Sequence, residues 1–369
     1  MVEILAEPPL LLHVYSTFAV GGAQVRFAAI ANHFGRRWRH AIVAMDGDLS
    51  CRERLDPGLL LSFPQVAIRK GDTLGNVRRF RAVLRRLRPH TLVTSNWGSI
   101  EWAMANAAWP VCRHVHVEDG FGPDERSAQL RRRVLTRRLV LRGCETVLPS
   151  QTLLRIATDV WRLPPRRLHY VPNGIDLGRF AAGRLVAPSG TPVVGTVAAL
   201  RAEKNLARLL RAFRIATADP TVPGRLVIIG DGAERSSLEA LAAELGLQDR
   251  VQFAGHQPDP VTGISGFDLF AMSSDTEQMP ISLLEAMAAG LAVAATDVGD
   301  IRAMLPAESQ PFVTALDDAV LAAALRRLLL EPGLRRAVGL ANLRKAQRDY
   351  ADTTMFASYA RLFDGGDRS

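Results

Sequence analysis

The sequence predicts an α/β protein of two doubly wound parallel-sheet domains that face each other across an interdomain cleft. Three observations predict it. Short β-branched or apolar runs alternate with longer Arg- and Ala-rich helical stretches, the pattern of a parallel sheet covered on both faces. That alternation breaks at the Pro-, Ser- and Gly-containing stretch before residue 192 and then restarts. The length, 369 residues, suits two domains better than one.

In the first domain, residues 1–183, strands are expected at Leu10–Tyr15, Ala41–Met45, Thr91–Asn96, Val111–Val117 and Thr146–Pro149. Helices fall between them, such as Gln24–Phe34 and Asn76–Leu87. In the latter, Val77, Phe80, Val83, Leu84 and Leu87 make an apolar face against a run of arginines. Residues 184–191 read as a linker. The second domain, 192–349, is expected to carry strands at Pro192–Val197, Arg225–Ile229, Val251–Ala254, Phe267–Met272 and Leu291–Thr296. Its helices are Asn205–Thr217, Ser236–Leu245 and Ile281–Ala289. A last helix, about Thr353–Phe363, is expected to bring the segment 350–369 back onto the first domain.

Composition narrows the function classes. With 48% hydrophobic and 22% charged residues, the chain has apolar mass for two cores and is neither disordered nor a disulfide scaffold. Cys51, Cys112 and Cys144 lie far apart and read as reduced thiols of a cytoplasmic protein. No apolar run is long enough for a membrane-spanning helix. The amino end, with Glu3 and Glu7, does not read as a secretion signal. Charge is uneven: residues 1–185 hold 28 Lys and Arg against 15 Asp and Glu, and residues 186–369 hold 18 against 22. A basic first half suggests an anionic partner. Arg131–Arg133, Arg137, Arg138 and Arg142 decorate one helix, either as a solvated face or as a rest on anionic lipid at the inner face of the membrane. Nucleic acid is not expected, because aromatics are not interleaved with the arginines.

The most informative segment is Ser273–Asp300. Glu277 lies in a loop after a strand, Pro280 suits a helix start, and Glu285 falls in the second turn. A helix N-terminus favours a diphosphate, and carboxylates accept hydrogen bonds from sugar hydroxyls. Glu277 and Glu285 therefore suit a nucleotide sugar, gripped at its hexose and ribose. The Glu-x7-Glu spacing alone arises by chance in a chain this long; its loop and helix context distinguishes it. Lys204 and Arg201 follow the strand ending near Val197, where fixed cations would stabilise a diphosphate leaving group. Gly21 and Gly22 follow the first strand and open a helix, permitting close backbone approach to phosphate or sugar, but without the GxGxxG spacing of a dehydrogenase. Asp46-Gly47-Asp48 is a DxD pattern that turn chemistry explains.

The ordered set of motifs resembles the retaining glycosyltransferase family 4, which has a GT-B fold of two Rossmann-like domains. Its Glu-Gly-Phe-Pro loop and Leu-Glu-Ala-Met-Ala helix read here as Glu277-Gln278-Met279-Pro280 and Leu284-Glu285-Ala286-Met287-Ala288. Further matches are Pro172–Asp176, Ile229–Gly232, Val251–Gly255, Glu203–Asn205 and Gly21-Gly22. The resemblance implies that Glu285 binds the ribose, Glu277 the transferred sugar and Lys204 the diphosphate. Gly22 would line the donor cleft, and Gln278, Met279, Pro280 and Ile281 would belong to the donor loop. A sugar-contacting histidine of the family falls near His116, with Asp119 the alternative. Ala199 stands where the family has a diphosphate arginine, Arg201 lies two residues on, and Asp300 replaces a glycine.

The implied function is retaining transfer of a hexose-type sugar, from a UDP- or GDP-sugar to a glycan or lipid-linked acceptor. The setting is cell-surface polysaccharide or glycolipid synthesis, with neither metal nor cofactor. A nucleotide-sugar epimerase of the same fold and a non-enzymatic basic binding protein are the alternatives.

Overall fold

The computed structural model describes residues 7–121, 125, 129–183, 190–257 and 259–366. The chain divides into two units, Met1–Pro172 together with Met355–Ser369, and Asn173–Thr354. The expected linker lies mostly outside the described residues.

Among the described residues, the N-terminal unit holds a seven-stranded sheet. Its strands are β1 (Leu10–Tyr15), β2 (Arg39–Ala44), β3 (Leu60–Ser62), β4 (Thr91–Ser95), β5 (Arg113–Val117), β6 (Glu145–Leu148) and β7 (Leu168–Tyr170). They run parallel in the order β3-β2-β1-β4-β5-β6-β7, with Leu10 opposite Arg39 and Tyr15 opposite Ala44. Successive side chains point to opposite faces, and both faces are covered. On one, Leu12, Val14, Val43 and Leu92 pack against Phe80, Leu84 and Trp102. On the other, Leu11, Val93, Val115 and Val147 pack against Met355, Phe356, Tyr359 and Phe363 of the helix Asp352–Asp364.

The helix Thr73–Leu87 shows how sequence places its faces. Asp72 caps it by accepting from the Gly75 N–H at 2.9 Å, and Arg88 ends it in a left-handed conformation. Asn76, Phe80 and Leu84, one turn apart, are its buried residues. The second arginine-rich helix, Arg131–Val140, departs from a uniformly solvated face. Arg137 points inward, 1% exposed, held by Glu118 and Glu125 and stacked near Trp97 and Trp161.

The C-terminal unit holds, among its described residues, a six-stranded parallel sheet. Its strands are β8 (Val193–Val197), β9 (Arg225–Ile229), β10 (Val251–Gly255), β11 (Leu269–Met272), β12 (Ala292–Thr296) and β13 (Val313–Thr314), in the order β10-β9-β8-β11-β12-β13. Alternate residues again feed two cores: Val194, Leu226, Ile228, Leu269 and Ala271 into one, and Phe270, Met272, Val293 and Ala295 into the other. The near-continuous apolar runs of these strands follow from burial on both sides.

Each sheet therefore has a point where strand order reverses, between β1 and β4 and between β8 and β11. In open parallel sheets, ligands bind outside the carboxyl ends of the strands at such a point.

Candidate active site

At the β8/β11 switch point, two loops leave neighbouring strand ends. The first runs from Ala198 to Asn205. It is tied to the loop after β9 by hydrogen bonds from the Ala198 N–H to Ile229 O (3.0 Å) and from the Leu200 N–H to Asp231 O (3.0 Å). It closes in a short 3-10 turn, Ala202–Lys204, followed by Asn205 in a left-handed conformation. The Asn205 side chain accepts from the Arg208 N–H at 3.1 Å and so caps the helix Leu206–Ala216.

The second loop, Ser273–Pro280, is stitched to the first. Ser273 Oγ donates to the carbonyls of Lys204 and Asn205, at 3.1 and 3.0 Å, and the Asp275 N–H donates to Glu203 O at 2.9 Å. Arg208 is largely buried and bridges to Ser273 O (2.9 Å) and Asp275 Oδ1 (2.6 Å). Thr296 Oγ1 donates to Ser274 O at 2.6 Å. Of these supporting residues, Glu203 and Asn205 belong to a stretch that the sequence marks as a family match, and Ser273, Ser274, Asp275 and Thr296 lie within the segment Ser273–Asp300; Arg208 carries no mark in the sequence.

This scaffold brings Lys204 and Glu277 together, although they are 73 residues apart: Lys204 Nζ lies 2.6 Å from Glu277 Oε1. Ser274 Oγ donates to the same oxygen at 2.7 Å. Glu277 Oε2 has no protein partner among the described residues. An ammonium has three donors, so Lys204 retains two beyond the one given to Glu277. The pair lines a small cavity with Thr196, Ser274 and Ser282.

Beyond Glu277 the chain starts the helix Ile281–Ala288 with Pro280 as its cap residue. The Leu283 N–H donates to Pro280 O at 3.2 Å, while the amides of Ile281 and Ser282 have no acceptor within the helix and present the positive end of the dipole. Glu285 is half-buried on this helix, Gln278 and Ile281 are half-buried, and Pro280 is buried. Met279 is turned into the core, where its carbonyl accepts from Asn173 Nδ2 at 3.0 Å; it braces the loop. Gly299 holds the loop from the other side. Its φ is +57°, and a Cβ there would stand 2.1 Å from Glu277 O, so no other residue fits without moving Glu277. Asp300, in the family's second glycine position, donates its N–H to Gln278 O at 3.0 Å. Arg201 is exposed, and its guanidinium has no protein partner among the described residues.

In the N-terminal unit, Gly21 is the extended N-cap residue and Gly22 the exposed first residue of the helix Gly22–Phe34. Asp46 Oδ1 accepts from the Asp48 N–H at 2.9 Å around Gly47, which makes the DxD stretch a turn. His116 departs from the position expected of a ligand contact. It lies inside β5, not past its end, and is wholly buried, with Nδ1 2.8 Å from Thr94 Oγ1. Asp119, just past the strand, is engaged bidentately by Arg26, at 2.5 and 2.8 Å. A cavity of about 420 Å³ does open beside it at the carboxyl ends of β1, β4 and β5. Ser16, Asn96, Trp97 and Arg133 are among its lining residues; of these, the sequence marks Asn96 only as a strand end and Arg133 only in a helical arginine run.

Two doubly wound sheets, one of them with an ion-paired lysine and glutamate at its switch point beside a helix N-terminus, define the class of protein: a doubly wound α/β chain with a polar site where strand order reverses. Residues 20–179 match the family described as Glycosyltransferase Family 4, and residues 181–345 match Glycosyl transferases group 1. The chain belongs to the family 4 glycosyltransferases, and its fold is GT-B. It is 32% identical over 187 residues to the lipopolysaccharide core biosynthesis glycosyltransferase LpsD of Rhizobium meliloti, covering 50% of this chain and 53% of that protein. The chain thus spans about half the length of the curated relatives it matches. Among solved structures, sucrose-phosphate synthase of Thermosynechococcus elongatus is similar in fold, with a TM-score of 0.80 and 19% identity over 97% of this chain and 98% of that one. HepE of Anabaena, solved in complex with UDP-glucose, has a TM-score of 0.79 and 17% identity over 97% and 100%.

Proposed function

We propose that this protein is a retaining, metal-independent glycosyltransferase. It would move a hexose from a UDP- or GDP-sugar to a glycan or lipid-linked acceptor in cell-surface polysaccharide or glycolipid synthesis. The Lys204–Glu277 pair at the switch point carries this reading, supported by family membership, by the function named for LpsD and by the UDP-glucose in complex with which HepE was solved. Lys204 and the first amides of the helix Ile281–Ala288 receive the donor diphosphate, with Arg201 as a second cation. Glu277 Oε2 accepts from a sugar hydroxyl, and Glu285 accepts from the ribose hydroxyls. As the glycosidic bond breaks, negative charge grows on the diphosphate, and cations and amides already in place stabilise it without reorganising. A diphosphate oxygen takes the acceptor proton, so no protein base is needed.

The acceptor end belongs to the N-terminal unit, where the cavity beside Asn96 and Trp97 provides stacking and hydrogen-bonding groups. Attraction to an anionic membrane surface is supported by the helix Arg131–Val140, whose Leu135 and Leu139 are exposed beside Arg131, Arg132 and the following Arg142.

Calorimetric titration with UDP, GDP and their sugars tests the donor reading. Glu285→Ala is expected to weaken nucleotide binding by about 10- to 100-fold, the range for losing hydrogen bonds to a charged group. Undiminished affinity in that variant would remove the ribose assignment. Product analysis then separates transfer from epimerisation, which converts the donor with no acceptor present.

A further inference from the structure

We propose that the N-terminal unit carries a second ligand site, for a phosphate ester with an apolar body, at the amino ends of β5, β6 and β7. This is the sheet edge opposite the one that holds the acceptor cavity, and the inference does not depend on the donor reading.

A cavity of about 470 Å³ opens there, within the range of small-molecule pockets. Its floor is the start of three strands: Arg113 opens β5, Glu145 opens β6, and Arg167 immediately precedes β7, whose His169 also lines the floor. Arg361, from the C-terminal helix, closes one side. Among the described residues, the lining thus carries three guanidiniums and one carboxylate. Glu145 is committed within the protein, accepting from Arg167 Nη1 at 2.7 Å and lying 2.8 Å from His169 Nε2. Arg361 is exposed and has no side-chain partner among the described residues.

The arginine positions are built into the fold. Arg113 Nη2 donates to Leu362 O at 3.1 Å, fixing its head against the end of the C-terminal helix. Gly365, at a φ of +89°, leaves room for that head: a Cβ there would stand 2.3 Å from Arg113 Nη1. Guanidinium forks match phosphate oxygens, which makes a phosphate the anion these groups suit best. The opposite wall is apolar, formed in part by Leu139 and Val140, so the ligand that fills the cavity has a hydrocarbon portion as well as a charge. A soluble phosphoester and the headgroup of an anionic lipid share this chemistry.

The full chain would be titrated calorimetrically with phenyl phosphate and, separately, with inorganic phosphate. Phenyl phosphate is expected to bind saturably and more tightly than inorganic phosphate, because the apolar wall receives its ring. Arg361→Gln and Arg167→Gln should each weaken it about tenfold while leaving the melting temperature near that of the parent. Lys204→Ala should leave phenyl phosphate binding unchanged, which separates this site from the donor site. Binding indifferent to both arginine variants, or abolished by Lys204→Ala, overturns the proposal. Sedimentation with phosphatidylcholine vesicles containing phosphatidic acid identifies the source. Capture that Arg361→Gln removes assigns the site to lipid; phenyl phosphate binding without capture assigns it to a soluble ester.

Discussion

Lys204→Ala is expected to lower turnover of the nucleotide sugar by about 10²- to 10³-fold, the cost of removing one preorganised group that faces charge developing in a transition state. The loss should fall mainly on kcat, because the diphosphate carries more charge as it departs than it does in the bound donor. The competing account makes Lys204 a structural counter-ion for Glu277, whose side chain is only 9% exposed. The two accounts differ in a double-variant cycle. Were the pair merely structural, Glu277→Gln would relieve the carboxylate stranded by Lys204→Ala, and the double variant would recover activity. With each residue engaging a different part of the donor, the double variant loses at least as much as the worse single one. Recovery in the double variant, or undiminished turnover in Lys204→Ala, would end the assignment.

How far this site was legible in the sequence follows from where its parts lie along the chain. Lys204 and Glu277 stand out because charged residues directly after an apolar strand sit at the sheet's carboxyl edge. Arg208, Ser273, Ser274 and Thr296 left no such mark. Each acts on a partner at least 20 residues away, or through the carbonyl of a loop, and no local periodicity reports that; only Ser274 Oγ to Glu277 is close in sequence. His116 lies elsewhere than expected for a related reason: the strand continues through Val117, so the residue falls inside it and alternation turns the ring toward Thr94.

In the fold, interior strands were legible because burial on both faces demands continuous apolar runs. The edge strands β3, β7 and β13 were missed. They are two or three residues long, and β3 and β7 are largely half-exposed, so they carry neither length nor composition enough to register. Arg137 shows the same limit on a helix. Sequence marks it as one more arginine, and only the carboxylates of Glu118 and Glu125 make its burial tolerable.

Acidification is expected to unfold the N-terminal unit before the C-terminal one, with a transition near pH 5. Seven of the eight histidines lie in residues 1–172, and three of them are held neutral by their surroundings. Burial, and then the neighbouring His40, pushes His13 well below the ordinary histidine value; burial brings His40 down to about 4. Burial, and then His116, brings His114 down to about 3. The geometry agrees. His13 Nε2 meets His40 Nδ1 at 3.1 Å, while His13 Nδ1 and His40 Nε2 have no hydrogen-bond partner, so charging a ring adds a buried N–H with no acceptor. Phe27 and Phe363 pack against His13, and rings offer no compensating charge.

The sign follows from linkage. The unfolded chain takes up protons near pH 6.5, whereas the folded unit resists until the depressed values are reached, so stability falls as pH drops through that window. Each such histidine contributes about 1.4 kcal/mol per pH unit, or about 2 kcal/mol by pH 5. Three together approach the whole stability of an ordinary domain. All five tryptophans lie in residues 1–172, so their fluorescence reports this unit selectively, while circular dichroism follows both. The tryptophan transition should precede loss of the remaining helical signal on titration from pH 7.5 to 4. His40→Asn and His114→Asn should each shift its midpoint to lower pH. Coincident transitions, or a midpoint unmoved by both substitutions, would place the acid sensitivity elsewhere.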